Sequence, residues 1–280
     1  MLRIVSSRAP AAVLRAGVIA VLVAWPHLTL GHGPSGTAQL VALFAVMAGL
    51  FTFSEYVAQA PSIVEFRDAR PYNRIRFASL ALAVLLTCVL LRPFPASGFL
   101  ASWIQGLCRT WGEVLYFPWS PVRLLVDTLP AGTSAGLRRS VCAAAAVAYS
   151  LSLTMVLIFA CVVRLRNWPG RTAFNVWINL PQFDPTAGGD VVGRLQRDAQ
   201  VNLVLGLLLP ILAPLVADLL SGPFDGLALR EPSALVWMVM AWAFIPSSLA
   251  MRGLALNRLA WMIAVHRARM RRGEGLPQAA

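Results

Sequence analysis

The sequence predicts an all-α integral membrane protein, with about six transmembrane helices and an amphipathic helix on the outer leaflet. Two observations carry that prediction. First, 58% of the 280 residues are hydrophobic and 13% are charged, with a mean hydropathy of +0.68. A soluble domain carries about 25% charged residues, so too few are present here to cover a water-facing surface. Second, the 24 basic side chains are all Arg, and they cluster at alternate ends of apolar stretches long enough to cross a bilayer. The net charge of +12 therefore reads as the positive-inside bias of membrane proteins, and no nucleic-acid partner is expected.

The chain opens with Arg3 and Arg8 ahead of an apolar run, as a signal peptide does. No small-x-small cleavage site follows, so an uncleaved first helix is expected. About 20 mostly apolar residues are needed to cross the hydrocarbon core. Stretches 13–30, 38–57, 77–91, 140–163, 201–220 and 234–251 qualify, and the third should begin a few residues early. They divide a single polytopic domain, 1–280, into spans, cytoplasmic loops 58–76 and 164–200, and an Arg-rich tail, 252–280.

Arg counting separates six spans from seven. With six, 16 Arg lie on the side of the N-terminus and six on the other, while Arg252 and Arg258 fall in or just beyond the last span. Were 99–117 to cross as well, the split would be 11 against 10 with three inside segments. Six spans, with both termini cytoplasmic, is the expectation.

Segment 99–117 reads instead as an interfacial helix. Leu100, Trp103, Ile104, Leu107, Trp111, Val114 and Leu115 form one face, and Ser102, Gln105, Arg109 and Glu113 the opposite one. Such a divided helix lies flat with its apolar side in the acyl boundary; re-entry as a hairpin is the alternative. A short second piece is expected to run through Asp127. The last apolar segment, taken as one helix from Ala234 to Arg272, would reach roughly 58 Å, so a bend is expected at Pro246 or Gly253.

Small residues mark the expected helix contacts: Ala16, Ala20 and Ala24 in the first span, Ala38, Ala42, Ala45 and Gly49 in the second, and Ala144 and Ala148 in the fourth. A homo-oligomer is compatible with these stripes. Pro210 and Pro214, four apart, free two carbonyls of the fifth span, a feature shared by ordinary kinked helices and by ion-binding broken ones.

The candidate chemistry is sparse. Without Lys there is no phosphate-loop lysine and no Schiff base. His27, His32 and His266 lack a completing cluster, so no metal or other cofactor is expected. Cys88, Cys108 and Cys142 lie toward the outer side, where one disulfide is conceivable. Glu55 and Asp218 end spans toward opposite faces, and both read as interface anchors rather than a catalytic pair. Two cytoplasmic loops remain. In 62–77, Glu65 and Asp68 alternate with Arg67, Arg70, Arg74 and Arg76, and Tyr72 and Asn73 are placed to help hold a phosphate or carboxylate. In 164–200, Trp168, Phe174, Trp177 and Phe183 interleave with Arg171, Arg194 and Arg197 and with Asp190. A plain Arg belt on anionic phospholipids with aromatic anchors is the simpler reading of both.

Three functions are weighed. The favoured one is a bacterial inner-membrane protein without a catalytic site, docking a partner protein or assisting assembly of a membrane complex through these loops. A small transporter or channel comes second, weakened by the lack of polar groups at mid-membrane. An enzyme acting on lipid headgroups through Glu55, Glu65 and Asp68 comes third.

Overall fold

A computed structural model describes residues 2–31, 35–92, 98–170, 174–184, 186, 188–224 and 231–273. Among them there are helices and no strand. The helices are α1 (Leu2–Leu30), α2 (Ser35–Val57), α3 (Tyr72–Leu91), α4 (Phe99–Leu115), α5 (Pro121–Asp127), α6 (Ala135–Leu165), α7 (Val176–Asn179), α8 (Val191–Phe224) and α9 (Pro232–Arg271). Six of these, α1, α2, α3, α6, α8 and α9, are long and apolar enough to cross a membrane. The protein is an all-α polytopic membrane protein.

Local signals set several boundaries. Ser120 caps α5 by accepting the Arg123 N–H, with Pro121 in the first turn, and Ser134 caps α6 through the Leu137 N–H. Each satisfies an N–H that the first helical turn leaves without a partner. α3 begins at Tyr72, five residues before the apolar stretch, as expected. The second loop is shorter than expected because α8 starts at Val191, so its Arg-rich first turns are helix rather than loop.

The bundle has two cores, one toward each end. The first gathers α1 near its C-terminus (Leu22, Leu30), the second half of α3, α5, the alanine run 143–146 and 148 of α6, and the start of α9. The second gathers Phe66, Tyr72, Phe159 and Trp168 with Leu195 of α8 and Met251, Leu256 and Leu259 of α9. Side-chain bonds cross between helices: Ser79 Oγ donates to Leu151 O at 3.1 Å, and Trp111 Nε1 to Ser150 Oγ at 2.9 Å.

One expectation needs correction, and two gain detail. Gln105 of α4 does not face solvent. It is buried with Cys108 and Gly112, and its amide donates to Val89 O of α3 at 2.9 Å. α4 thus has a third, protein-facing stripe between its apolar and polar faces, made possible where Gly112 meets the Ala143 backbone. Its apolar face, including Leu100, Trp103 and Leu107, points away from the protein, as lipid contact requires. Second, α9 runs unbroken for 40 residues, through both Pro246 and Gly253. Gly253 is a point of close packing: a Cβ there would lie 2.8 Å from Ala199 O. Third, the paired prolines have a packing role. Pro214 has no N–H, so the Pro210 carbonyl lacks its normal intrahelical donor, and Trp242 Nε1 of α9 supplies one at 2.9 Å. The four cysteines are free thiols.

Candidate functional site

The C-terminus of α2 explains two of the candidate ions. A helix leaves its last carbonyls without partners. Arg67 folds back onto them, donating to Glu55 O and Ala58 O at 2.7 Å and to Gln59 O at 3.1 Å. The Glu55 carboxylate does the converse. It accepts the N–H groups of Ser62 at 3.0 Å and of Ile63 and Val64 at 2.9 Å, and the Ser62 hydroxyl as well. Both side chains are buried. Glu55 and Arg67 are structural ions that fix the exit from α2.

Glu65 pairs with no arginine of its own loop among the described residues. Glu65 instead takes a two-pronged bond from Arg252 of α9, Nε at 2.7 Å and Nη2 at 3.0 Å. Charge and fork geometry both favour that pair. Asn73, expected to help hold an anion, donates to Glu65 O at 2.8 Å, and Tyr72 is an aromatic core residue, 1% exposed. Asp68 stays at the surface, 3.6 Å from Arg67 Nε.

The second loop docks directly on the first. Asn179 caps the junction: its carbonyl accepts the Phe66 N–H at 2.8 Å, and its side-chain oxygen accepts those of Asp68 at 3.1 Å and Ala69 at 3.2 Å. Trp168 Nε1 donates to Ala69 O at 3.2 Å, and Arg258 of α9 holds the Trp168 carbonyl at 3.1 Å. Beneath, the rings of Phe66, Tyr72, Phe159 and Trp168 pack edge-on and tilted, with centroids as close as 4.5 Å. Phe66 adopts a left-handed φ of 52°, a conformation that costs a side-chain-bearing residue about 1–2 kcal/mol. Burial of its ring among three others offsets that cost.

The remaining candidates sit around this junction. Arg70, Arg74, Trp177 and Arg197 are exposed, and Arg76 is half-buried over the rings of Tyr72 and Phe244. Arg194 covers Phe183 and donates to Asp184 O at 2.8 Å. Asp190 bonds Arg267 near the end of α9; that guanidinium, then the Gly193 N–H, holds the carboxyl below its ordinary value. Arg171 and the side chain of Asp218 lie outside the described residues. Sequence reasoning missed Asn179, Arg252 and Arg258. Arg252, placed at the edge of a span, did carry a signal, because an ion at that depth calls for a partner.

No protein-family model matches the chain, and no curated protein or solved structure matches it either.

Proposed function

We propose that this is a non-catalytic protein of the bacterial inner membrane, with both termini and both loops cytoplasmic. In this reading the joined loops dock a partner protein or assist assembly of a membrane complex. The orientation rests on the Arg distribution. The docking reading rests on one observation: the two loops are locked together through Asn179 and Trp168 over a buried aromatic cluster. A belt that only attracts anionic lipid gains about 1 kcal/mol per Arg and needs no particular backbone. Here the backbone is fixed, so Asp68, Trp177 and Arg197 hold set positions on its exterior. Exposed Trp and Arg on a rigid support are the residue types that dominate protein interfaces. An enzymatic reading through Glu55 and Glu65 is weakened, since both carboxylates are engaged in structural bonds.

The test is co-purification from native membranes in mild detergent, with reporter fusions at Arg76 and Arg271 checking the side. Wild type should bring down a partner near one to one. The double variant Trp177→Ala, Arg197→Gln should lose it by more than about tenfold at unchanged protein level. Equal recovery by both would sink the docking reading.

A further inference from the structure

The α1–α2 hairpin packs on other helices at one end only; at the other, α2 is held by the loop that follows it, through Arg67. Near its C-terminus α1 packs into the first core through Leu22 and Leu30. Its other half leaves Leu14 70% and Val18 42% exposed, and α2 packs on α1 and on no other helix to any extent. The hairpin therefore splays from α3 and α9 on the loop side, leaving a cleft of about 1150 Å³. That exceeds the roughly 300–1,000 Å³ that suffices for most small ligands.

The cleft changes character along its length. Toward mid-membrane it is walled by Leu14, Val18, Leu80, Ile245 and Leu249. At the loop end it is lined by Arg15, Arg70, Arg74 and Arg76, none of which has a carboxylate partner among the described residues, and by two acids that face other arginines, Glu65 on Arg252 and Asp68 beside Arg67. Two polar atoms facing this region are buried without any hydrogen-bond partner, Arg76 Nε and Ser248 Oγ. Buried donors are normally paired; the Arg76 guanidinium lies over the rings of Tyr72 and Phe244 and keeps one unmatched donor in the cleft wall. An unpaired cationic rim, an orphan donor and an apolar trough in series match one kind of molecule.

We propose that the cleft is a built site for an anionic phospholipid of the loop-side leaflet, its phosphate on Arg70, Arg74 and Arg76 and an acyl chain along α1 and α9. Phosphate oxygens would accept from the outer guanidinium nitrogens of these three arginines, in the planar, forked geometry guanidinium favours. The chain would cover the faces of Leu14, Val18 and Leu249. This differs from a general Arg belt in stoichiometry and position. It does not depend on the docking reading, and its test leaves Trp177 and Arg197 intact.

The experiment is native mass spectrometry of the full chain, delipidated in detergent and titrated with phosphatidylglycerol, phosphatidylcholine or inorganic phosphate. Wild type should retain one phosphatidylglycerol and bind phosphatidylcholine at least about tenfold more weakly, as expected when charged hydrogen bonds carry the difference. Arg76→Gln, and separately Ser248→Phe to fill the trough, should each cut phosphatidylglycerol occupancy about tenfold. Arg269→Gln, which removes one charge outside the cleft, should leave it unchanged. An equal loss in Arg269→Gln would reduce the site to an Arg belt. Displacement by millimolar phosphate would make it a free-anion site, and equal phosphatidylcholine binding would make it an apolar groove. Each of these overturns the proposal. Should Arg76→Gln fail to fold, Arg76→Lys and Ser248→Phe still decide: normal one-to-one binding in both excludes the cleft.

Discussion

α8 and α9 press backbone against backbone, whereas α1 and α2 meet at ordinary side-chain distance. A Cβ on Gly206 would lie 2.7 Å from Pro246 O and 2.8 Å from Ala250 N, and one on Gly253 would lie 2.7 Å from Leu203 Cγ. On Gly49 of α2 the nearest atoms, Ala16 O and Ala20 Cβ, are 3.4 Å away. In lipid there is little hydrophobic gain from helix association, so close approach and interhelical bonds supply the attraction. The first pair uses both devices, and its α9 packs on α6 and α3 as well. The second uses a looser version, and its α2 has no further helix partner, which is what leaves room for the cleft.

The largest effect should come from closing that difference with one methyl group. Gly206→Ala forces a Cβ onto fixed backbone atoms of α9, and overpacking of this kind costs about 1–3 kcal/mol. Gly49→Ala meets only van der Waals contact and should change stability by less than about 0.5 kcal/mol. Thermal unfolding of both variants in one detergent measures the contrast. Similar melting temperatures would mean that the two pairs are equally tight.

A smaller effect tests the polar half of the contact. Trp242→Phe removes the donor to the Pro210 carbonyl, and interhelical bonds of this type average about 0.6 kcal/mol, up to about 1.7. In a Pro214→Ala background the restored N–H can satisfy that carbonyl within α8. There the same Trp242→Phe change should cost measurably less. If the cost is unchanged, the bond contributes nothing and packing of the indole on Tyr149, centroids 5.5 Å apart, carries the whole effect.

The comparison also separates what sequence can and cannot reveal. Span number was legible, because hydropathy and Arg placement are properties of single segments. So were Ala16, Ala20 and Gly49 as contact positions, since stripes at helical spacing announce themselves, although the stripes did not say which helices they join. Neither Gly206 nor Gly253 was read as a helix contact, and only the three-dimensional approach of α8 to α9 gives them that meaning. The candidate loop shows the same limit. Its Glu and Arg pattern was visible, but Glu65 finds Arg252, 187 positions away, and Arg67 turns back on α2. Neighbours in sequence suggested an anion clasp; folding engaged those ions elsewhere and left Arg70, Arg74 and Arg76 facing the cleft. Gln105 was misplaced for a related reason: helical periodicity assigns a polar face but does not tell whether water or a neighbouring carbonyl meets it.

The smallest expected effect lies where α8 and α9 meet again beyond the membrane, at Asp190 and Arg267. The bond joins the residue just ahead of α8 to the last turns of α9 and so extends the tight pair past the glycines. Arg267 and the Gly193 N–H hold the Asp190 carboxyl below its ordinary value of 3.8. A carboxyl depressed in the folded protein contributes stability that is fully present above its unfolded value, and that contribution fades as pH falls through the folded value. Asp190 is exposed, so the gain is modest and salt-screened. Melting temperatures of wild type and Asp190→Asn should therefore differ slightly at pH 6 and low salt, with wild type higher. The gap should narrow below pH 4 and shrink in high salt even at pH 6. A gap that persists into acid would assign the effect to the Asp190 contact with the Gly193 N–H, which an Asn side chain reproduces only in part, and the ion pair would then add nothing to the α8–α9 junction.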